Sequence, residues 1–198
     1  SPQEAAKGAK FIHLFTATDA QVESTLTGPD GVFSVATPGT MVLIHSTIFP
    51  ATTHRVAAQA PKGVEVIDAP MTSKPPVLEA GKGTFMIGAS PDAAAAVCAH
   101  LAPMCKAAVH CGATGAGNAM KICKNLGNVV ERVMVAETAK LVEAAGLDIV
   151  QFLAIAKSGN IASVWNNWER VLEVANKHAE PKRASGLVSK DIHHALAL

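Results

Sequence analysis

The stretch GNAMKICKNLGNVVERVMVAETAKLVEAAG, residues 117–146, divides the chain into two regions of different character. Its apolar residues recur at three- and four-residue spacing, the period of an amphipathic helix, and Gly146 stands where a C-cap glycine belongs. The helical period continues beyond it in DIVQFLAIAKS (148–158), ASVWNNWERVLEVANK (162–177) and GLVSKDIHHALAL (186–198). No strand candidate follows Gly115. Upstream the pattern is different: KFIHLFT (10–16), MVLIHST (41–47), VEVIDAP (64–70) and GTFMIGA (83–89) read as short strands. Between them DAQVESTL (19–26), FPATTHRVAAQA (49–60) and SPDAAAAVCAHLAPMC (90–105) read as helices, the last with Ser90 as N-cap and Pro91 in its first turn. Strands alternating with helices predict an α/β fold with a doubly wound parallel sheet, and runs such as MVLI, apolar on both faces, suit strands covered from both sides. The expected organisation is an α/β domain over residues 1–114 and an all-α domain over 115–198, joined by the long helix.

Composition narrows the function classes. Of the 198 residues, 49% are hydrophobic and 17% charged, enough to build a packed core, and the formal net charge is +1. That balance lacks the basic surface that neutralises phosphates, so nucleic acid is not expected as a partner. No apolar run approaches the roughly 18 residues of a membrane span, and SPQEAAKGAK at the start is not a secretory leader. A membrane is therefore not expected either, and the predicted compartment is the cytoplasm, with the mitochondrial matrix as the second choice. The four cysteines, Cys98, Cys105, Cys111 and Cys123, show no CxxC spacing and read as buried free thiols. The eight histidines form neither HExxH nor HxxxH, so no metal site is expected.

Three clusters carry chemistry. In HCGATGAGNAMKICKNL, Gly115 and Gly117 open the long helix and would let a planar ligand approach the backbone. Lys121 and Asn125 follow on one helix face, four residues apart, and a lysine in a dry cleft has the pKa range of a general acid/base. The bland reading of that pair is a solvated helix face. In DAPMTSKPPVLEAG, a strand ends in Asp68, and Thr72, Ser73 and Lys74 follow in a turn that could present hydroxyls, N–H groups and charge to an anion; the same residues also simply build a turn. In HSTIFP, Ser46 and Thr47 end the second strand, where helix capping is the default reading and a ligand contact the alternative.

Taken together, DAQVESTLTGPDGV, HSTIFPATT, VIDAPMTS with Glu79, Ala80 and Gly81, GATGAGNAMKICKN and SKDIHHALAL resemble the blocks of the β-hydroxyacid dehydrogenase family in order and spacing. That family includes 3-hydroxyisobutyrate dehydrogenase and the tartronate semialdehyde and glyoxylate reductases. The resemblance implies a Rossmann-like domain for NAD or NADP, a small 3-hydroxy acid or semialdehyde as substrate, and a homo-oligomer. It implies Lys121 as the catalytic amine, Asn125 beside the substrate, and Thr72, Ser73 and Lys74 at the carboxylate-binding turn. Thr47 falls near nicotinamide and substrate, and Phe15 and Thr16 match a Leu-Pro segment that touches the cofactor. Lys190 and Asp191 match a Lys-Asp pair that closes the site, the lysine near the cofactor and the aspartate near the substrate. Gly117 falls at the close cofactor approach.

The sequence also departs from the family. The GxGxxG turn that cradles a pyrophosphate is not found: Gly81-Lys82-Gly83 and Gly115-Ala116-Gly117 carry Met86 and Met120 at the third glycine position. The chain thus reads as a fragment lacking the first βαβ unit and the last helices, for which weak or no cofactor binding is expected. The usual Ser-Gly-Gly turn is Thr72-Ser73-Lys74, and Arg183 stands where relatives have an aromatic substrate contact, a place from which it could bind a second anion. Two rivals follow. One is a non-catalytic oligomerisation or binding module, and the other an imine reductase, which Lys121 disfavours.

Overall fold

The computed structural model describes residues 1–73, 75–159, 164, 190 and 192–197. Lys74, Arg183 and Asp191 lie outside the described residues, as does nearly all of the helix candidate 162–177 and part of 186–198. Contacts divide the chain into two compact units, Ser1–Cys123 and Lys124–Ala197.

The first unit is built as α1 (Pro2–Ala6), β1 (Phe11–Leu14), α2 (Asp19–Thr27), β2 (Met41–Ile44), α3 (Pro50–Ala58), β3 (Glu65–Asp68), β4 (Met71–Thr72), α4 (Pro75–Glu79), β5 (Thr84–Gly88), α5 (Pro91–Leu101) and β6 (Ala107–Gly112). The helix α6 (Ala116–Ala144) begins in this unit, and α7 (Ile149–Ala156) follows it in the second. Strands β1, β2 and β3 are parallel neighbours, Phe11 opposite Met41 and Met41 opposite Glu65. The pleat then sorts the apolar runs onto two faces. Val42 and Ile44 pack with Leu14, Val22, Leu26 and Val56 beneath α2 and α3. Leu43 packs with Ile67, Ile87, Val97 and Leu101 beneath α5. Val42, Leu43 and Ile44 are fully buried, and each such side chain contributes about 1.5–3 kcal/mol.

β5 and β6 run the other way. β3 and β4 line one edge of β5 antiparallel, pairing Asp68 with Gly88, Met71 with Phe85 and Thr72 with Thr84, a single register across Ala69 and Pro70. β6 lines the other edge of β5 in parallel. The expected layering of helices on both faces is present, but the sheet is mixed. The physical reason is the link from β3 to β5: it holds only the five-residue α4, too little for the crossover that a parallel return requires. β6 was not foreseen, because AAVHCG has neither a β-branched run nor a clear alternation.

Helix ends follow local chemistry. Thr18 and Gln21 form a capping box at α2, and Ser90 caps α5 by accepting from the Ala93 N–H with Pro91 behind it, as the sequence predicts. At the far end of α6, Gly146 adopts φ +68; its N–H reaches Glu143 O at 2.9 Å and the Leu147 N–H reaches Val142 O at 3.1 Å. That is the two-bond Schellman closure, which only a residue tolerant of positive φ completes without strain. In the second unit, Val135 and Leu153 are buried together with Ala139, Ile149, Phe152 and Ala156 around them. The expected buried thiols are only partly so: Cys98, Cys105 and Cys111 are half-buried and Cys123 is exposed, all four free.

Candidate active site

The carboxyl ends of β1, β2 and β3 lie side by side, and the chain leaves them through Phe15–Thr16, His45–Ile48 and Ala69–Met71. Such a row of strand ends is where open α/β sheets hold ligands. Ser46 ties the first two exits together. Its hydroxyl accepts the Thr16 N–H at 3.0 Å and donates to Thr16 O at 2.6 Å, while Thr16 Oγ1 lies 3.0 Å away. The default expectation that Ser46 caps the following helix is therefore corrected. The N-cap of α3 is Phe49, without a side-chain cap bond, because the serine is committed across the strands. Phe15 projects with 66% of its surface exposed, its inner face stacked 4.5 Å from the His45 ring.

The third exit is locked to the start of α6. Asp68, fully buried, accepts the Gly115 N–H on one carboxylate oxygen and the Asn118 N–H on the other, both at 2.6 Å. Both oxygens act as acceptors for helix N-terminal donors, the arrangement that favours an ionised carboxylate. Burial pushes its pKa up, and the Gly115 and Asn118 N–H groups oppose that rise. Asn118, also fully buried, accepts the Ile48 N–H at 3.2 Å and donates to Thr53 Oγ1 at 3.4 Å, so the first turn of α6 also grips the loop after β2. The approach is close enough to require glycine: a Cβ on Gly117 would lie 2.4 Å from Met86 O, and one on Gly88 would lie 2.2 Å from Asp68 Oδ1. Gly115 adopts φ +94 at the same junction.

One turn along, Lys121 Nζ donates to Met71 O at 2.5 Å. The amine thus sits where β3 runs on into β4, beside the Thr72 segment, with its side chain half-buried. Of the residues singled out in the sequence, the fold brings Lys121 to Met71–Thr72 and Thr16 to Ser46–Thr47, and it seats Gly117 against Met86 and Asp68. Ser73 is exposed in the turn after β4. Asn125 and Lys190 belong to the second unit, and Lys74, Arg183 and Asp191 lie outside the described residues. Sequence reasoning missed the Asp68–Asn118 anchor. A signal was available in the acidic end of a buried strand and a polar residue three positions before Lys121.

Comparison with known proteins gives this arrangement its family. Residues 1–112 match the profile of the NAD binding domain of 6-phosphogluconate dehydrogenase. Residues 115–198 match that of the NAD-binding of NADP-dependent 3-hydroxyisobutyrate dehydrogenase. The chain belongs to the β-hydroxyacid dehydrogenase family. Within it, the chain is 32% identical over 199 residues to an uncharacterised oxidoreductase of Mycobacterium tuberculosis, covering 96% of this chain and 67% of that one. A probable mitochondrial 3-hydroxyisobutyrate dehydrogenase of Dictyostelium discoideum is 32% identical over 199 residues, 97% of this chain and 62% of its own length. Among solved structures, the 3-hydroxyisobutyrate dehydrogenase of M. tuberculosis with L-serine superposes with a TM-score of 0.78 at 25% identity, over 100% of this chain and 69% of that one. The chain spans about two thirds of the length of these family members. The cofactor class of the β-hydroxyacid dehydrogenases matched here is NAD or NADP. No helix among the described residues is long and apolar enough to cross a membrane.

Proposed function

We propose that the protein is an NAD(P)-dependent oxidoreductase that moves a hydride between nicotinamide and a small 3-hydroxy acid or its semialdehyde, with Lys121 as general acid/base. The observation that carries this reading is the amine of Lys121 held at the Met71 carbonyl, at the edge where β3 and β4 leave the sheet. The residues present suit the nicotinamide end of such a cofactor. The exposed Phe15 ring offers an apolar face to a planar heterocycle, and Thr16, fixed by Ser46, and Thr47 supply polar groups at the same strand ends. When bound, the nicotinamide supplies the redox chemistry. The protein's own part is to hold the substrate and move its hydroxyl proton: the neutral Lys121 amine accepts it in oxidation and the ammonium returns it in reduction.

In this reading Thr72, Ser73 and Lys74 receive the substrate carboxylate, joined by Asn125, Asp191 and Arg183. Gly117 and Lys190 flank the cofactor. Residues 1–114 form the nucleotide-binding domain, residues 115–198 the helical substrate and dimerisation domain, and the enzyme works as a cytoplasmic homo-oligomer. Relatives named as L-serine dehydrogenase and 2-(hydroxymethyl)glutarate dehydrogenase define the substrate panel together with 3-hydroxyisobutyrate.

The test is steady-state kinetics on the full-length protein with that panel, followed by nicotinamide absorbance. Lys121→Ala is expected to lower kcat by about a hundredfold to ten-thousandfold while leaving NAD(P) affinity in place. Near-normal turnover in that variant would remove Lys121 from the reaction. No turnover and no NAD(P) binding in the wild type would favour a non-catalytic binding module instead.

A further inference from the structure

The first unit holds a second polar network, which the proposed reaction does not use. His13 on β1, His45 just past β2 and His100 near the end of α5 meet on one face of the sheet. His45 Nδ1 lies 2.8 Å from Ala69 O, His45 Nε2 lies 2.9 Å from His13 Nδ1, and His13 Nε2 lies 3.0 Å from His100 Nε2. The ring centres are 5.1 and 5.2 Å apart, so most of each separation lies along the N···N line and the rings meet end to end. Contacts of that kind are hydrogen bonds. They offer no common point at which the nitrogens converge on a cation, and among the described residues no group of three or more His, Cys, Asp or Glu could hold one.

The hydrogens of the chain follow from its buried end. Ala69 O can only accept, so His45 Nδ1 carries a proton. In the neutral state His45 Nε2 is then an acceptor, His13 Nδ1 the donor to it, His13 Nε2 an acceptor, and His100 Nε2 the donor to that. Every contact is satisfied, in one direction. A proton arriving at His100 Nδ1 keeps this true, because each ring can hand its own proton inward: His100 to His13, His13 to His45, which becomes the imidazolium. A second excess proton cannot be placed without leaving two N–H groups facing each other across one of the two short contacts.

We propose that His45, His13 and His100 form a one-proton store on the wall of the candidate site, and that loading a second proton parts the rings and loosens the ends of β1 and β2. Phe11 stacks on His100 at 3.8 Å and Phe15 on His45 at 4.5 Å, so the rings that part carry with them the strand that presents Phe15 and Thr16. Electrostatics agree with a store that resists charge. Burial holds the His45 pKa down at about 4, against the opposing Ala69 bond, and burial followed by the nearby His100 lowers that of His13. The other titratable groups on the packed elements are Lys10 ahead of β1, Glu65 and Asp68 on β3, and Asp92 and Cys98 on α5. Asp68 is committed to Gly115 and Asn118, Lys10 lies over the Phe11 ring, and burial pushes the Cys98 thiol up, so it stays neutral. β5 contributes the uncharged edge of Phe85.

The store itself does not depend on the dehydrogenase reading; its coupling to cofactor does. The experiment is a pH titration of the full-length protein labelled uniformly with ¹⁵N, reading imidazole nitrogens and the Thr16 and Thr47 amides, for wild type, His100→Gln and His13→Gln. The expected result is that the three rings change together in one first step rather than at three separate midpoints. A second, lower step should move the two threonine amides, and both variants should abolish the shared midpoint. Rings that titrate independently near the ordinary value, or threonine amides that stay still through both steps, would overturn it. NAD(P) affinity measured in parallel should fall through the second step. Rings that titrate as stated in a full-length protein that binds no NAD(P) at any pH support the store and reject the dehydrogenase reading.

Discussion

At Gly117 a single methyl group tests how α6 is seated. The added Cβ would meet the Met86 carbonyl at 2.4 Å and Asp68 O at 2.8 Å, both backbone atoms that can yield only by moving the helix off the sheet. Gly117→Ala is therefore expected to cost about 1–3 kcal/mol, the range of an overpacked core, read as a lower midpoint in urea unfolding with an unchanged slope. Asp68→Asn tests the same junction without changing its size. The amide can accept one of the two N–H groups, but its NH₂ then faces the other donor, leaving a buried N–H without an acceptor. The expected loss is about 2–3 kcal/mol, and because Lys121 rides on the same helix, kcat should fall more than KM rises.

Among the elements, α6 shows how its ends are specified by different means. Its start is held by the Asp68 carboxylate of β3 and by Asn118, whereas its finish is set by backbone conformation alone. Nothing lies within 4 Å of a Cβ placed on Gly146, so Gly146→Ala pays only for φ +68; the expected loss is about 1 kcal/mol, seen as a lower Tm. This contrast explains what the sequence disclosed. The helix, its closing glycine, the α5 cap at Ser90 and the both-faces-buried β2 were legible because each depends on neighbours in sequence. The antiparallel course of β5, the strand β6 and the Asp68–Asn118 anchor were not, because they are decided by contacts between segments some 20 to 50 residues apart. At the candidate site, Lys121 was singled out from the family resemblance and from its place after two glycines. The histidine chain escaped notice because residues 13, 45 and 100 share no local pattern.

For the molecule as a whole, acidity is the simplest probe. The His45 pKa is depressed in the folded protein, to about 4 from an ordinary 6.5, so stability is greatest above 6.5, where both folded and unfolded states are neutral. As pH falls from 6.5 toward 4 the unfolded chain takes up a proton that the folded one resists, at a cost of about 3 kcal/mol over the whole interval. Asp68, whose pKa is raised, works in the opposite sense within the carboxylate range, since the folded state then binds a proton more readily than the unfolded. The clean measurement is the difference in unfolding free energy between wild type and His45→Gln across that interval, which should shrink steadily toward acid. A constant difference would mean that the imidazole is not kept neutral by the fold. The shared register of β3, β4 and β5 carries a consequence for inheritance as well as for mechanism. Among the described residues β4 pairs with β5 alone, so the Met71 carbonyl that steadies the amine takes its position from Thr84 and Phe85. Substitutions at those two sites should therefore show epistasis with Lys121, and a lineage altering one would be constrained in what it could later accept at the other.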